Sequence, residues 1–446
     1  MNYLKNYWKE EKEEEDHLRR IGGDTYRRSE LAQQLFDVES RKNIPLIAAS
    51  LIDWGSYIIL DAARTWGTYT ISFTATRWGI HYSATDVCDA LYRASKEIIM
   101  LRTKIDDKNC FVADAKHNVP VLSHSVDSTE DARAVARKLV DKGVEKDKYL
   151  FSFHLIGDNH LLVIGDHVAT DGRGIFALIQ MIMSMLNADP IVQSEENTNF
   201  INFFDQISIP DTYPDYTIDN VTTIPAHHKP SQELVKDVPV IVDKDLFQKV
   251  KEYARKHNQN FSALLLSLLS FSFSRVVERQ GVPHPHNIVS HVAVDLRLHC
   301  EPKLPPTLVS SVSGSANVSV TIDNDTELEP MVSDAGAQIA TLISSKEMLR
   351  LFHVLKTKPQ EAAKFFNLSI IFSNVGHFPY PTECDKFSIE SMSFLISGPG
   401  GAPFPSVHLV EVNGHLELTF TYSPQCFGPD VFRSVGDEFI KILDNL

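Results

Sequence analysis

The chain is short of cysteine, of long apolar runs and of positive charge, and each shortage removes a class of protein. Its five cysteines, Cys88, Cys110, Cys300, Cys384 and Cys426, are scattered, odd in number and form no CxxC pair. That usage fits a reduced, intracellular (cytoplasmic) protein better than a disulfide framework. The longest apolar candidate for a membrane span, Phe261 to Val277, is interrupted by serines and Arg275 and falls short of the roughly 20 apolar residues a span needs. It reads as a buried helix. Residues 1 to 20 are dominated by Lys, Glu and Asp where a secretory leader would carry an apolar run, so they read as a solvated helix or frayed terminus. Lys and Arg total 43 against 58 Asp and Glu, a net charge of −15, which argues against general nucleic-acid binding.

What is present is ordinary globular material, with 43% hydrophobic and 23% charged residues. At 446 residues the chain exceeds one ordinary core, so two domains of about 200 residues each are expected. Periodicity disappears from Asp211 to Lys229, a stretch bracketed and crossed by Pro210, Pro214, Pro225 and Pro230. The division is therefore placed as an N-terminal half over 1–210, a linker over 211–232 and a C-terminal half over 233–446.

In the first half, Ser29 to Val38 looks helical and Ile44 to Leu60 supplies a candidate strand. Thr68 to Ala75 alternates as a half-buried strand does. Thr85 and Asp86 can cap a helix through Val87, Leu91, Ala94 and Ile98, and Leu101 to Ile105 looks like a strand entry. A further helix runs from Ser128 or Thr129 to Lys142 and stops at Gly143. In the second half, the expected strands are Val238–Val242, Ile288–Val294, Ser315–Ile322, Leu368–Phe372, Val407–Val412 and His415–Tyr422. The last two flank Asn413-Gly414, a strong hairpin signal. Helices are expected over Asp245–His257, over Phe261–Val277 capped by Asn260, over Glu327–Lys346 and over Pro429–Leu443. Strands and helices alternate in both halves, so the fold class is α/β with mixed sheets.

The chemistry concentrates between Tyr149 and Asn187. Tyr149–Ile156 and Leu161–Ile164 read as a hairpin turned at Gly157-Asp158-Asn159 and ending at His167. Beyond Gly172, Ile175, Leu178, Ile179, Ile182, Met185 and Leu186 recur with helical spacing as one buried stripe. A histidine thus stands at the mouth of a sheet, followed by a tight turn and an anchored helix. Imidazole is the usual general base near neutral pH, and Asp171, four residues on, can serve as base partner, loop cap or ion-pair anchor. Gly172 lets the loop curl back.

The pattern His-x-x-x-Asp-Gly, here His167, Asp171 and Gly172, resembles the signature of the chloramphenicol acetyltransferase-like superfamily. Arg102 in MLRTKI, Asp295-Leu296-Arg297 in VAVDLRLH and Ser373-Asn374-Val375-Gly376 follow in the order that family shows, and the resemblance covers most of residues 65 to 446. HLRRIGGDTY near the start and SNVGHF near the end are similar to the alcohol O-acetyltransferase branch. Two departures count against other branches. Asp166 stands where condensation domains and wax ester synthases usually carry a second histidine, and nothing matches the Asp-Phe-Gly-Trp-Gly motif of plant BAHD enzymes.

The resemblance implies two similar domains with an active-site tunnel between them and His167 midway along it. It implies an acyl-CoA-dependent O-acyltransferase, acting as a monomer, that moves an acetyl or short acyl group to an alcohol with acyl-CoA as co-substrate and no permanently bound cofactor. His167 would take the acceptor proton as it attacks the thioester, without an acyl-enzyme. Asp171 would be structural and paired with Arg297, and Ser373 and Asn374 would contact the oxyanion or the substrate. The alternatives are an amine acceptor, a carrier-protein donor, which the acidic charge disfavours, and an inactive ligand-binding member. Gly398-Pro399-Gly400-Gly401 lacks the context of a phosphate cradle and reads as a plain loop. His284-Pro285-His286, with His291, His299 and Cys300, reads as loop and strand, so no metal is expected.

Overall fold

The computed structural model describes residues 70–76, 84–105, 111–114, 119–145, 147–157, 160–187, 197, 206–214, 218, 220–226, 235–358, 361, 365–382, 389–397 and 405–446. The expected helix at Ser29–Val38, the strand within Ile44–Leu60, the His17–Tyr26 stretch and the Gly398–Gly401 turn lie outside them. In chain order the elements are β1 (Thr70–Thr76), α1 (Ala84–Glu97), a 3-10 turn (Ile99–Arg102), β2 (Thr103–Ile105), β3 (Phe111–Ala113), β4 (Val121–His124), α2 (Thr129–Lys142), β5 (Phe151–Ile156), β6 (His160–Asp166) and α3 (Gly172–Asn187). They continue as β7 (Lys236–Val242), α4 (Lys244–Lys256), α5 (Phe261–Arg279), β8 (His286–Asp295), β9 (Ser313–Ile322), α6 (Leu328–Ser344), α7 (Arg350–Thr357), β10 (Ile370–His377), β11 (Ser391–Ile396), β12 (Ser406–Val412), β13 (His415–Tyr422) and α8 (Pro429–Asp444).

The chain forms two compact units, and they are not consecutive halves. The first takes the described residues up to Ser208 together with Asp295–Ser313 and Phe378–Gly398; the second takes Ile209–Val294, Gly314–His377 and Pro399–Leu446. The expected linker over 211–232 does not behave as one, because its hydrogen bonds tie it to the second unit. Pro214 O accepts from Arg350 Nη1 at 2.5 Å, and Thr222 exchanges bonds with Asn287, giving 2.8 Å to its carbonyl and accepting at 2.9 Å on its hydroxyl. Prolines and lost periodicity mark irregular backbone, which packs as readily as it bridges.

In the first unit a five-stranded sheet runs β11-β1-β6-β5-β4. β1 is antiparallel to both β6 and β11, β5 and β6 form the hairpin, and β4 joins β5 in parallel. Helix α2 starts at Ser128, whose hydroxyl accepts from Asp131 N, and stops at Gly143, where φ is +68°. Its Ala132, Ala136 and Val140, spaced by four, pack on Leu162, Ile164 and Leu395. Helix α3 departs from the one-stripe expectation. Phe176, Ala177, Met181 and Met183 are as buried as the stripe, at 1, 3, 4 and 5% exposure. A helix that is apolar all round is an interior helix.

In the second unit six strands run β7-β13-β12-β10-β8-β9, with β10 parallel to both β8 and β12. The β12–β13 hairpin closes at Asn413 and Gly414, both at positive φ, +50° and +80°, as a tight two-residue turn requires. Leu416, Leu418, Phe420 and Tyr422 point to one face and meet a helical layer that includes Leu264, Leu268, Val332, Phe432 and Phe439. The core helix α5 is long and apolar enough to cross a membrane by length and composition, and 72% of its apolar window is buried within the protein. Its serines suit that interior: Ser270 and Ser272 donate to the carbonyls of Leu266 and Leu268 at 2.8 Å, and Ser274 pairs with His286 Nδ1 at 2.7 Å.

Candidate active site

His167 follows the last residue of β6 and is held on a turn closed from both ends. At the front, Asp166 is 1% exposed; its carboxylate accepts from Val168 N at 3.1 Å and its carbonyl from Ala169 N at 2.9 Å. That is an Asx-type turn, in which a short acidic side chain stands in for backbone. Val168, Ala169 and Thr170 are buried behind it, while the His167 side chain is only half-buried. The imidazole is the one side chain of the turn that the fold leaves toward open space.

At the back, Asp171 caps α3. Its carbonyl takes the first helical bond, from Ile175 N at 3.0 Å, and its Oδ1 accepts from Gly174 N at 2.8 Å. Arg297 grips the same carboxylate with both terminal nitrogens, Nη1 to Oδ2 at 2.8 Å and Nη2 to Oδ1 at 2.9 Å, and Val312 N donates to Oδ2 at 2.8 Å. A carboxylate has about four acceptor positions. Here all four are filled, so Asp171 keeps none for an imidazole. Of the three roles open in the sequence, loop cap and ion-pair anchor are both occupied, on one side chain, and base partner is not.

Arg297, 1% exposed, also donates to the carbonyls of Leu308 and Ser310 at 3.1 and 2.8 Å and to Asp295 at 3.0 Å. Burial alone would raise the Asp171 carboxyl, but the guanidinium and the two N–H groups outweigh it and hold it below the usual carboxylate range. Burial likewise would lower the Arg297 guanidinium, and Asp171 and Asp295 together raise it. The pair is therefore ionised on both sides.

Glycines make this approach sterically available. A Cβ on Gly174 would stand 2.5 Å from Thr170 Oγ1 and 3.1 Å from the Ser310 carbonyl. A Cβ on Gly165, in β6, would stand 2.8 Å from Thr170 Cγ2. Gly174, Ser310 and Val312 were not singled out in the sequence; the signal was the second glycine of Gly172-Arg173-Gly174, at the third position of a helix, where glycine is otherwise unfavourable.

The remaining sequence candidates lie elsewhere. Arg102 staples the end of α1 to β3, donating to the carbonyls of Ser95 at 2.8 Å and Asp114 at 3.2 Å. Ser373 and Asn374 lie on β10 of the second unit, at a bulge before Gly376, whose φ is +85°. Asn374 is engaged there: its Nδ2 donates to Ser262 Oγ at 3.2 Å and its Oδ1 accepts from Gly376 N at 3.1 Å. His284 pairs with the Ile322 carbonyl, His286 with Ser274 and the Val282 carbonyl, and His291 with Asn317. Among the described residues no group of three or more His, Cys, Asp or Glu could hold a metal ion.

No family model and no curated protein matches this chain. Solved structures do. Trichothecene 15-O-acetyltransferase from Fusarium sporotrichioides aligns at a TM-score of 0.65 and 11% identity, over 90% of this chain and 95% of that one. The fold is chloramphenicol acetyltransferase-like. Polyketide synthase associated protein 5 from Mycobacterium tuberculosis aligns at 0.59 and 14% identity, over 84% and 94%. The starter condensation domain of rhizomide synthetase, solved with C8-CoA, aligns at 0.59 and 13%, over 87% and 92%. Chains this distant share the fold, mixed helices and sheets in two units, with hardly any sequence left in common.

Proposed function

We propose that the chain transfers an acyl group from acyl-CoA to an alcohol, with His167 as general base. The observation that carries this reading is the half-open imidazole on a turn fixed in front by the Asp166 carboxylate on Val168 N and behind by Asp171, whose acceptor positions are all spent on the backbone and Arg297. Such a histidine works as the base without Asp171 as its relay. Nε2 takes the proton of the acceptor hydroxyl, since Nδ1 is sealed within the protein, while the acceptor oxygen attacks the thioester carbonyl; the C–S bond then breaks, and the imidazolium returns the proton to the leaving thiolate. Ordering the two substrates at one base contributes the rest of the rate. Asn374, bound to Ser262 and Gly376, serves to hold the bulge of β10.

Two similarities support acyl-CoA as donor: a neighbour of the same fold is an O-acetyltransferase, and another was solved with C8-CoA. In the second unit a pocket of about 500 Å³ is lined by Lys251, Ala254, Arg255, Asn258, Gln259 and Phe261. Lys251 there is paired with Glu411 at 2.8 Å, and Arg255 is the cation that suits a phosphate of coenzyme A. An amine acceptor would use the same proton transfer, and is the second reading.

The test is release of free thiol from acetyl-CoA across a panel of alcohols and amines, with the ester or amide identified by mass. Thiol release with product supports the transfer. A protein that binds CoA but releases no thiol with any acceptor is instead a binding module.

A further inference from the structure

Between His160 and Leu186 the fold buries every residue except His167, Gly172, Arg173 and Gln180. Gln180 lies two turns along α3. The surface left accessible around the turn is therefore the His167 imidazole, the Gly172 backbone and the Arg173 side chain, which flank the sealed stretch from Val168 to Asp171. Arg173 is 40% exposed in its side chain and occupies the second position of α3, where the helix dipole disfavours a cation.

Asp295 answers that cation only in part. Its Oδ1 accepts from Arg297 N at 3.1 Å and Arg297 Nη1 at 3.0 Å, while its Oδ2 lies 4.0 Å from Arg173 Nε, beyond hydrogen-bond distance. Tyr380 reaches the same place from a distant part of the first unit. Its ring meets Phe378 edge-on at 5.3 Å, and Phe378 meets Phe176 edge-on at 5.1 Å. Phe176 follows Arg173 by three residues and so shares its side of the helix. The Tyr380 hydroxyl is open to solvent and has no hydrogen-bond partner among the described residues. Burial raises the phenol, and the charges of Arg173 and Arg297 offset part of that rise, so it remains a donor at neutral pH. A guanidinium with a phenol beside it is suited to the two oxygens of a carboxylate.

We infer that Arg173 and Tyr380 bind a carboxylate of the substrate beside the His167 turn and so determine specificity. The inference rests on the acyl-transfer reading for which substrate carries that group: the acyl chain of a dicarboxylic acyl-CoA, or an acceptor that is a hydroxy acid.

The experiment uses two pairs in which a carboxylate replaces a methyl group, succinyl-CoA against butyryl-CoA and 4-hydroxybutanoate against 1-butanol. Binding is read by calorimetry and kcat/KM by thiol release, with 1-butanol as acceptor for the first pair and acetyl-CoA as donor for the second. The wild type is compared with Arg173→Gln, Arg173→Lys and Tyr380→Phe, each first shown to unfold cooperatively in urea. In the wild type the charged member of one pair binds about tenfold to a hundredfold tighter, and the pair that shows this names the source of the carboxylate. Arg173→Gln removes the difference, Arg173→Lys keeps part of it, and Tyr380→Phe reduces it about threefold to tenfold. A binding difference that Arg173→Gln removes supports the carboxylate site even if no thiol is released, an outcome that would retire only the acyl-transfer reading. Equal binding within both pairs in the wild type, a difference that survives Arg173→Gln, or a variant that loses both members of a pair alike would overturn the inference.

Discussion

Arg297 closes on Asp171 with two parallel N–H···O bonds at 2.8 and 2.9 Å, while Gly174 N and Val312 N take the two acceptor positions that remain. One carboxylate thereby fixes the start of α3 and the segment after β8 to each other, at the back of the turn that carries His167. Removing Arg297 leaves the buried Asp171 charge uncompensated, and removing Asp171 leaves Arg297 with Asp295 alone, at a cost of about 3–5 kcal/mol in the first case and less in the second. Asp171→Ala and Arg297→Ala are expected to lower the unfolding free energy read from urea titration accordingly, Arg297→Ala the more, and Arg297→Lys to recover little of it, because a lysine cannot bond both carboxylate oxygens and two carbonyls at once. A midpoint unchanged in Arg297→Ala would contradict this account.

His167→Ala should abolish thiol release while the chain stays folded, with a cooperative urea transition, since the bonds that close the turn come from Asp166 and the backbone. Residual turnover comparable to the wild type would remove His167 as the base.

Gly174→Ala tests the close approach. Its Cβ, 2.5 Å from Thr170 Oγ1 and tight against the Ser310 carbonyl, forces Thr170 or the 308–312 segment to shift, at a cost of about 1–3 kcal/mol. Activity should fall with stability, because the displaced segment holds Asp171. An alanine here that stabilised the protein, as helix propensity alone predicts, would show the segment to be compliant.

Acid stability carries two signatures. Burial pushes His154 and His291 down to about 4, so both stay neutral in the folded chain when the unfolded chain, near 6.5, already binds protons. The unfolded state then holds more protons, and stability falls as pH drops from about 6.5 to about 4, by up to about 1.4 kcal/mol per pH unit for each histidine. Asp171 acts lower. Its depressed carboxyl contributes stability that is complete above about 3.9 and is lost as pH falls through its folded value. Urea midpoints at pH 7.5, 5.5 and 4.5 should decline more gently in His154→Gln, whereas the Asp171→Asn difference should hold over that series and shrink only in further measurements below about pH 4.

Local features of the chain were legible from its residues because local rules govern them. The caps at Ser128, Asn260 and Gly143, the Asn413-Gly414 turn and the β5–β6 hairpin all depend on neighbours a few residues away. The all-round burial of α3 was less visible, since Phe176, Met181 and Met183 fall outside the stripe that periodicity selects. The partnership of Asp171 with Val312, 141 residues apart, left no local mark at all. The same holds for β11, whose Ser391–Ile396 pairs with β1 more than 300 residues earlier. Pairing at that distance is chosen by which sheet edge is open, and a single strand sequence does not record it.

Strand β1 has β6 on one side and β11 on the other, and β11 is drawn from the last quarter of the chain. During synthesis β6 follows β1 early, but the second flank of β1 stays an open hydrogen-bonding edge until Ser391–Ile396 has left the ribosome. The first unit is thus begun first and finished nearly last. From the completion of β1 until that of β11 the nascent chain carries a bare strand edge that a chaperone, or a neighbouring nascent copy, can reach before the chain's own strand does.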